Sequence, residues 1–195
     1  FPGVGLVIYN CGEPTGQVLI RDLAGNWSTD IKGFGGGGGY NCFAEYSAVH
    51  NVVVFGGPSL SNHKVWRLNA DKTVTPLPDA PVGVGIQQMN VVADPATGNF
   101  LAWCYGQFWE LDPRGSGTWT QLTGSWLPPA AVGNPASPNL DGMFSGSIST
   151  HGVVMYVTCR IQSCNVHLYK HAVGSGTPPP SPPAGSFRET EVASG

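Results

Sequence analysis

One pattern of residues recurs along the chain at a spacing of 43 to 47 residues, and this recurrence constrains the fold more than any other feature. Asp22, Asn69 and Asp112 hold one position of the pattern, spaced 47 and 43 apart; Trp27, Val74 and Trp119 hold another, spaced 47 and 45 apart. The best-formed copy reads Ala44-Glu-Tyr-Ser-Ala-Val-His50, then Val52-Val-Val-Phe-Gly-Gly57, Lys64-Val-Trp-Arg-Leu-Asn69 and Val74-Thr-Pro-Leu77. A further copy runs from Met89 to Leu122, another from Phe144 to His171, and an incomplete one from Gly5 to Trp27. The short runs are apolar and rich in Val, Ile and aromatics, and Gly, Asn, Asp and Pro separate them, the pattern of strands joined by turns. Four such strands in 43 to 47 residues make the size of one β-propeller blade.

Composition narrows the alternatives. The chain holds 28 Gly and 17 Pro in 195 residues, with 11% charged residues where an average protein has about 25%. A helical bundle or coiled coil needs Ala, Leu, Glu and Lys instead, and collagen needs a three-residue Gly period that is absent. Six Trp, six Tyr and eight Phe exclude general disorder. The expected fold is all-β: a β-propeller of four-stranded antiparallel blades, three whole units plus one incomplete. The first unit lacks its innermost strand, because only four residues precede Gly5. Open sheet edges and end faces are costly, so the units are expected to be part of a larger ring whose remaining blades lie on the precursor or on another chain. Residues 1–173 form this partial propeller. Residues 174–186 read as a Pro-rich linker, with five Pro between Gly174 and Gly185. Residues 187–195 are a tail or the start of a further domain.

The residues also resemble the kelch family and its galactose-oxidase-like relatives. In the kelch repeat a hydrophobic strand ends in Gly-Gly, an aromatic-bearing strand follows, and a Leu-Pro-x-x-Pro exit comes after it. Val52-Val-Val-Phe-Gly-Gly57, Trp66 and Leu77-Pro-Asp-Ala-Pro81 match this closely. Asp94-Pro-Ala-Thr-Gly98, Trp109 and Trp119 match the next repeat, which keeps only Gly106 of the glycine pair, and the last repeat has Cys159-Arg160 there. The resemblance spans residues 5–172 and speaks to fold, not function. The sialidase propeller repeat fits less well, since Arg114 stands where its Asp belongs. The Tyr-His dipeptide of the copper-radical oxidases is missing.

A net charge of −3 with scattered Lys and Arg gives no basic stripe, so no nucleic-acid partner is expected. No apolar run is long enough for a membrane helix, so no membrane span is expected. Five cysteines with few lysines point to an extracellular or periplasmic location.

In propellers, the loops joining second to third strands share one end with the connections between blades, and that end usually carries the site. It gathers Tyr40, Asn41, Asn62, His63, Tyr105, Gln107, Trp126, Asn139, Asp141, Arg160 and Gln162 as candidate ligand-binding residues. Aromatic rings for sugar CH faces, with amides for hydroxyls, suit a glycan. Two function classes stay open. One is a secreted module binding a glycan or a protein. The other is part of a carbohydrate-active enzyme, a polysaccharide lyase or an oxidase, for which His63, Tyr105 and Arg160 are the catalytic candidates. No cofactor or metal is expected. His50 and His151 sit at equivalent turns, and His167 and His171 are about 13 Å apart along one strand, too far to share an ion. The run from Gly33 to Gly39 lacks the Lys-Ser/Thr of a phosphate loop and reads as a connection between blades. Asp22, Asp94 and Asp112 read as turn formers, while Glu13, Glu45 and Asp141 have no assigned role. Cys159 and Cys164 flank a short hairpin and are expected to bond. Cys11 and Cys42, each preceded by Tyr-Asn, form the second expected pair, leaving Cys104 as a thiol.

Overall fold

The structure is a computed structural model that describes residues 1–12, 16–34, 42–57, 63–82, 89–104, 107–123, 140–160 and 163–171. It is all-β: the helical content of these residues is one 3-10 turn, Ser149–His151. Among the described residues, fourteen strands make four antiparallel sheets, each from consecutive strands. The first sheet holds β1 (Leu6–Asn10), β2 (Gln17–Arg21) and β3 (Trp27–Lys32). The second holds β4 (Phe43–Ser47), β5 (Val52–Gly56), β6 (Val65–Leu68) and β7 (Val74–Leu77). The third holds β8 (Met89–Ala93), β9 (Phe100–Cys104), β10 (Gln107–Asp112) and β11 (Thr118–Leu122). The fourth holds β12 (Leu140–Ile148), β13 (Val153–Arg160) and β14 (Ser163–Tyr169).

The recurrence read from the sequence is the recurrence of these sheets. Leu6 pairs with Arg21, Val53 with Leu68 and Phe100 with Leu111, so β1, β5 and β9 are equivalent. The first sheet therefore lacks the strand that β4 and β8 supply to the second and third. The last unit differs from expectation. It shows three strands among the described residues, which end at residue 171. The linker at 174–186 and the tail at 187–195 likewise lie outside the described residues.

Turn chemistry fixes the hairpins. In the first and second sheets, Asp22 and Asn69 donate their N–H to the carbonyls of Asn26 and Thr73, at 2.9 Å in both turns. The positive φ falls on Gly25 and Lys72 at the same turn position. The turns before β5, β9 and β13 carry positive φ at Asn51, Gly98 and Gly152. At Gly98 both constraints meet: φ is +80°, and a Cβ would lie 2.5 Å from the Val49 Cβ.

Alternation along the strands gives each sheet two apolar faces, and these faces stack in chain order. Tyr9, Val18 and Ile20 of the first sheet pack on Val53, Phe55 and Leu68 of the second. Val54, Val65 and Leu77 of the second meet Val91, Phe100 and Leu111 of the third. Leu101, Trp103 and Phe108 of the third meet Val154 and Tyr156 of the fourth. The strands β4, β8 and β12, first in their sheets, neighbour one another in turn. Two faces have no sheet on them among the described residues. On the outer face of the first sheet Leu6, Ile8 and Trp27 are 54%, 40% and 53% exposed. On that of the fourth, Phe144, Val166 and Leu168 are 65%, 61% and 65% exposed.

Candidate functional site

Up-and-down connectivity sends alternate connections to opposite ends of the stack. One end collects the tight turns within hairpins: those before β5, β9 and β13, and those between β6 and β7 or β10 and β11. The other collects the hairpins β1–β2, β5–β6, β9–β10 and β13–β14 and the long connections from sheet to sheet. This second end is the one expected to carry the site.

Of the residues proposed for it, His63, Gln107, Asp141 and Arg160 are described, and all four stand at this end. Three differ from their expected settings. Gln107 opens β10, Arg160 closes β13, and Asp141 belongs to β12 instead of the connection before it. The reason is strand extension: β12 pairs with β13 as far as Leu140–Arg160, and β13 with β14 up to Arg160–Ser163. Tyr40, Asn41, Asn62, Tyr105, Trp126, Asn139 and Gln162 lie outside the described residues, as does Glu13. The convergence of His63, Tyr105 and Arg160 therefore falls outside them too.

The roots of the loops at this end are fixed by specific bonds. Cys11, just after β1, and Cys42, just before β4, form a disulfide with their Cα atoms 6.2 Å apart. Phe34 is buried and meets Phe55 and Trp66 edge-on, at 5.2 and 5.5 Å between ring centroids. The Gly33 N–H donates to the Gly16 carbonyl at 3.2 Å. The glycine-rich connection thus leaves from an anchored aromatic and returns at a covalent bond. His63 ties two other roots together. Its Nδ1 lies 2.7 Å from the Ala80 carbonyl, and the Ala80 N–H donates to the His63 carbonyl at 2.8 Å. A carbonyl can only accept, so Nδ1 carries a proton in this bond. Next to it, Lys64 Nζ lies 2.9 Å from each carboxylate oxygen of Asp79. Gln107 is exposed and accepts from the Trp109 indole N–H at 3.1 Å. In the last hairpin Cys159 and Cys164 stand directly opposite each other, and Cys164 is disulfide-bonded.

The turn end holds a polar chain that the sequence reading did not foresee. His50 of the second sheet puts Nε2 3.2 Å from the side-chain Oδ1 of Asn99, and the Asn99 side-chain amide donates to Glu110 at 2.9 Å. His171, just past β14, puts Nδ1 3.2 Å from Asp94, 3.8 Å from Glu110 and 3.1 Å from the Tyr169 hydroxyl. Asp94 is 1% exposed and also accepts from the Ala96 N–H at 2.8 Å and the Thr97 hydroxyl at 3.2 Å. The chain crosses three sheets and binds them together. Among the described residues, no group of three His, Cys, Asp or Glu side chains is placed to hold a metal ion.

Glu45 gains a role here. It is half-buried between the second and third sheets, where it accepts from the Ala93 N–H at 3.4 Å. Burial pushes its carboxyl above the ordinary 4.5, against the lesser opposing effect of that hydrogen bond. A carboxyl with a raised folded-state pKa stabilises the fold below its unfolded pKa, and this contribution is lost as pH rises through the folded value. Glu45→Gln keeps the acceptor and removes the ionisation. It is expected to raise Tm by a few degrees at pH 7.5, with no gain under acid conditions where Glu45 is protonated. Melting curves at both pH values check this, and an equal change at both would rule out the titration.

No protein-family model matches the chain, and no curated protein matches it.

Proposed function

We propose that the four sheets are blades of a kelch-like β-propeller and that the chain is an extracellular or periplasmic module binding a glycan or a protein through its loop end. The observation that carries this reading is the asymmetry of the stack. Every long connection between sheets leaves from one end, while the other end is closed by tight turns and the polar chain around Asp94. Loops with fixed roots on a rigid scaffold are where binding residues concentrate. The stacking of sheets in chain order, with β4, β8 and β12 as successive neighbours, supports the blade reading. The disulfide at Cys11–Cys42 supports an oxidising compartment. No helix among the described residues is long and apolar enough to cross a membrane.

The loop composition favours a sugar. Tyr40, Tyr105 and Trp126 offer ring faces, and Asn41, Asn62, Asn139 and Gln162 offer paired donors and acceptors. A polysaccharide panel printed as an array, followed by titration calorimetry on the retained sugars, tests it. Trp126→Ala and Tyr40→Ala are each expected to weaken binding at least about tenfold, the scale of one lost stacking contact, with Tm unchanged. A blank array would overturn the glycan reading. New reducing ends or unsaturated products in the same panel would replace it with the lyase or oxidase reading.

A further inference from the structure

The two open faces of the stack have the same construction as the closed ones. On the first sheet, Leu6 stands where Val53 and Phe100 stand in the second and third, as the pairings with Arg21, Leu68 and Leu111 show. Ile8, paired with Leu19, stands where Phe55 pairs with Trp66 and Ala102 with Trp109. Trp27, opposite Arg21, stands where Val74 and Trp119 stand opposite Leu68 and Leu111. In the second and third sheets these positions pack on the preceding sheet. In the first they face outward.

The fourth sheet repeats the relation in the other direction. Val166, opposite Val157, stands where Val65 is opposite Gly56 and Phe108 opposite Trp103. Both equivalents are buried against the following sheet, but Val166 faces outward beside Phe144. Leu168 goes further: it is apolar where the second and third sheets carry Arg67 and Glu110. A polar position has thus become apolar on the one following face that no described sheet covers.

We infer that the outer faces of the fourth and first sheets are the two halves of one contact, made with a second copy of this chain. All three junctions within the chain seat the following face of one sheet on the preceding face of the next. The outer face of the fourth sheet is of the first kind and the outer face of the first sheet is of the second kind. The contact is head-to-tail, and such contacts close when the rotation allows. Two copies bring together eight sheets, at the upper end of the roughly four to eight blades that close a propeller. A shallow depression of about 690 Å³ lies beside Leu6, lined also by Phe1, Pro2, Arg21 and Leu23. Among the described residues, nothing covers either apolar patch, and patches of this kind mark contact surfaces. The inference deepens the propeller reading and rests on it.

Light scattering after gel filtration tests it on the 195-residue chain. The expected particle has twice the 20.4 kDa chain mass. Leu168→Lys and Ile8→Lys each place a charge on one half of the contact and are expected to give single-chain particles. Mixing the two variants is expected to restore dimers, because the fourth sheet of one and the first sheet of the other are both intact. Val166→Lys and Trp27→Glu repeat the test at other positions, and an unchanged near-ultraviolet circular dichroism spectrum verifies each fold. A wild-type particle of single-chain mass at every concentration overturns the inference, as do dimers that survive in both variants or a mixture that does not recover. Binding to the sugar array is read on the same samples. A single-chain particle that binds sugar removes the second copy and leaves the function standing. A dimer that binds none does the reverse.

Discussion

Replacing Cys11 and Cys42 together with alanine is expected to lower the unfolding free energy by about 3–4 kcal/mol. This is the loop entropy released to an unfolded chain that loses a closure of 31 residues. The bond joins the end of β1 to the start of β4, across the junction between the first and second sheets. Its loss therefore falls on a three-stranded sheet next to a four-stranded neighbour. Urea unfolding of the variant and the parent under oxidising conditions gives the difference, and a change below about 1 kcal/mol would mean that the closure does not constrain the unfolded chain. Mass spectrometry after alkylation completes the thiol account. With Cys164 bonded and Cys159 opposite it, one alkylated cysteine is expected before reduction and all five after it. The single reactive residue would be Cys104.

Trp103→Ala is expected to destabilise the fold by about 3–5 kcal/mol, the range for truncating a buried Trp. Trp103 is 2% exposed and sits in the core between the third and fourth sheets. Its ring meets Tyr156, Phe108 and His167 edge-on, at 5.2, 6.5 and 5.3 Å between centroids. Each neighbour belongs to a rigid strand, so the cavity cannot collapse without shifting a ladder of hydrogen bonds. Urea unfolding again provides the measurement. A cost under about 1 kcal/mol would show that the third and fourth sheets do not depend on this junction.

The strands were legible because hairpins are local. The equivalence of Asp22 and Asn69 could be read from spacing alone, since a turn needs only a few adjacent residues to specify it. The same is true of the alternation that gives each sheet its two faces. Cys11 and Cys42 were legible as a pair because each follows Tyr-Asn and stands at the same end of its unit. The clasp of His171 on Asp94 was not, because it joins residues 77 positions apart through the packing of two sheets. Asp94 did read correctly as a turn former, and it accepts from Ala96 and Thr97. Its second duty leaves no mark on its neighbours in sequence. Asp141 was assigned to a connection because nothing in Leu140–Asp141–Gly142 alternates; pairing with β13 carries the strand that far. For the candidate loop residues, strand order alone decides at which end of the stack they stand.

Because, among the described residues, every sheet is made of consecutive strands and packs its core on the sheets before and after it, the chain is modular. Inserting one unit of four strands opens a single junction, and deleting an internal unit removes two and makes one; the remaining junctions keep their contacts. The number of sheets can change through duplication of one unit, while the turn end keeps its register and the loop end diversifies. A gene encoding this chain could thus acquire new surfaces without redesigning an existing core.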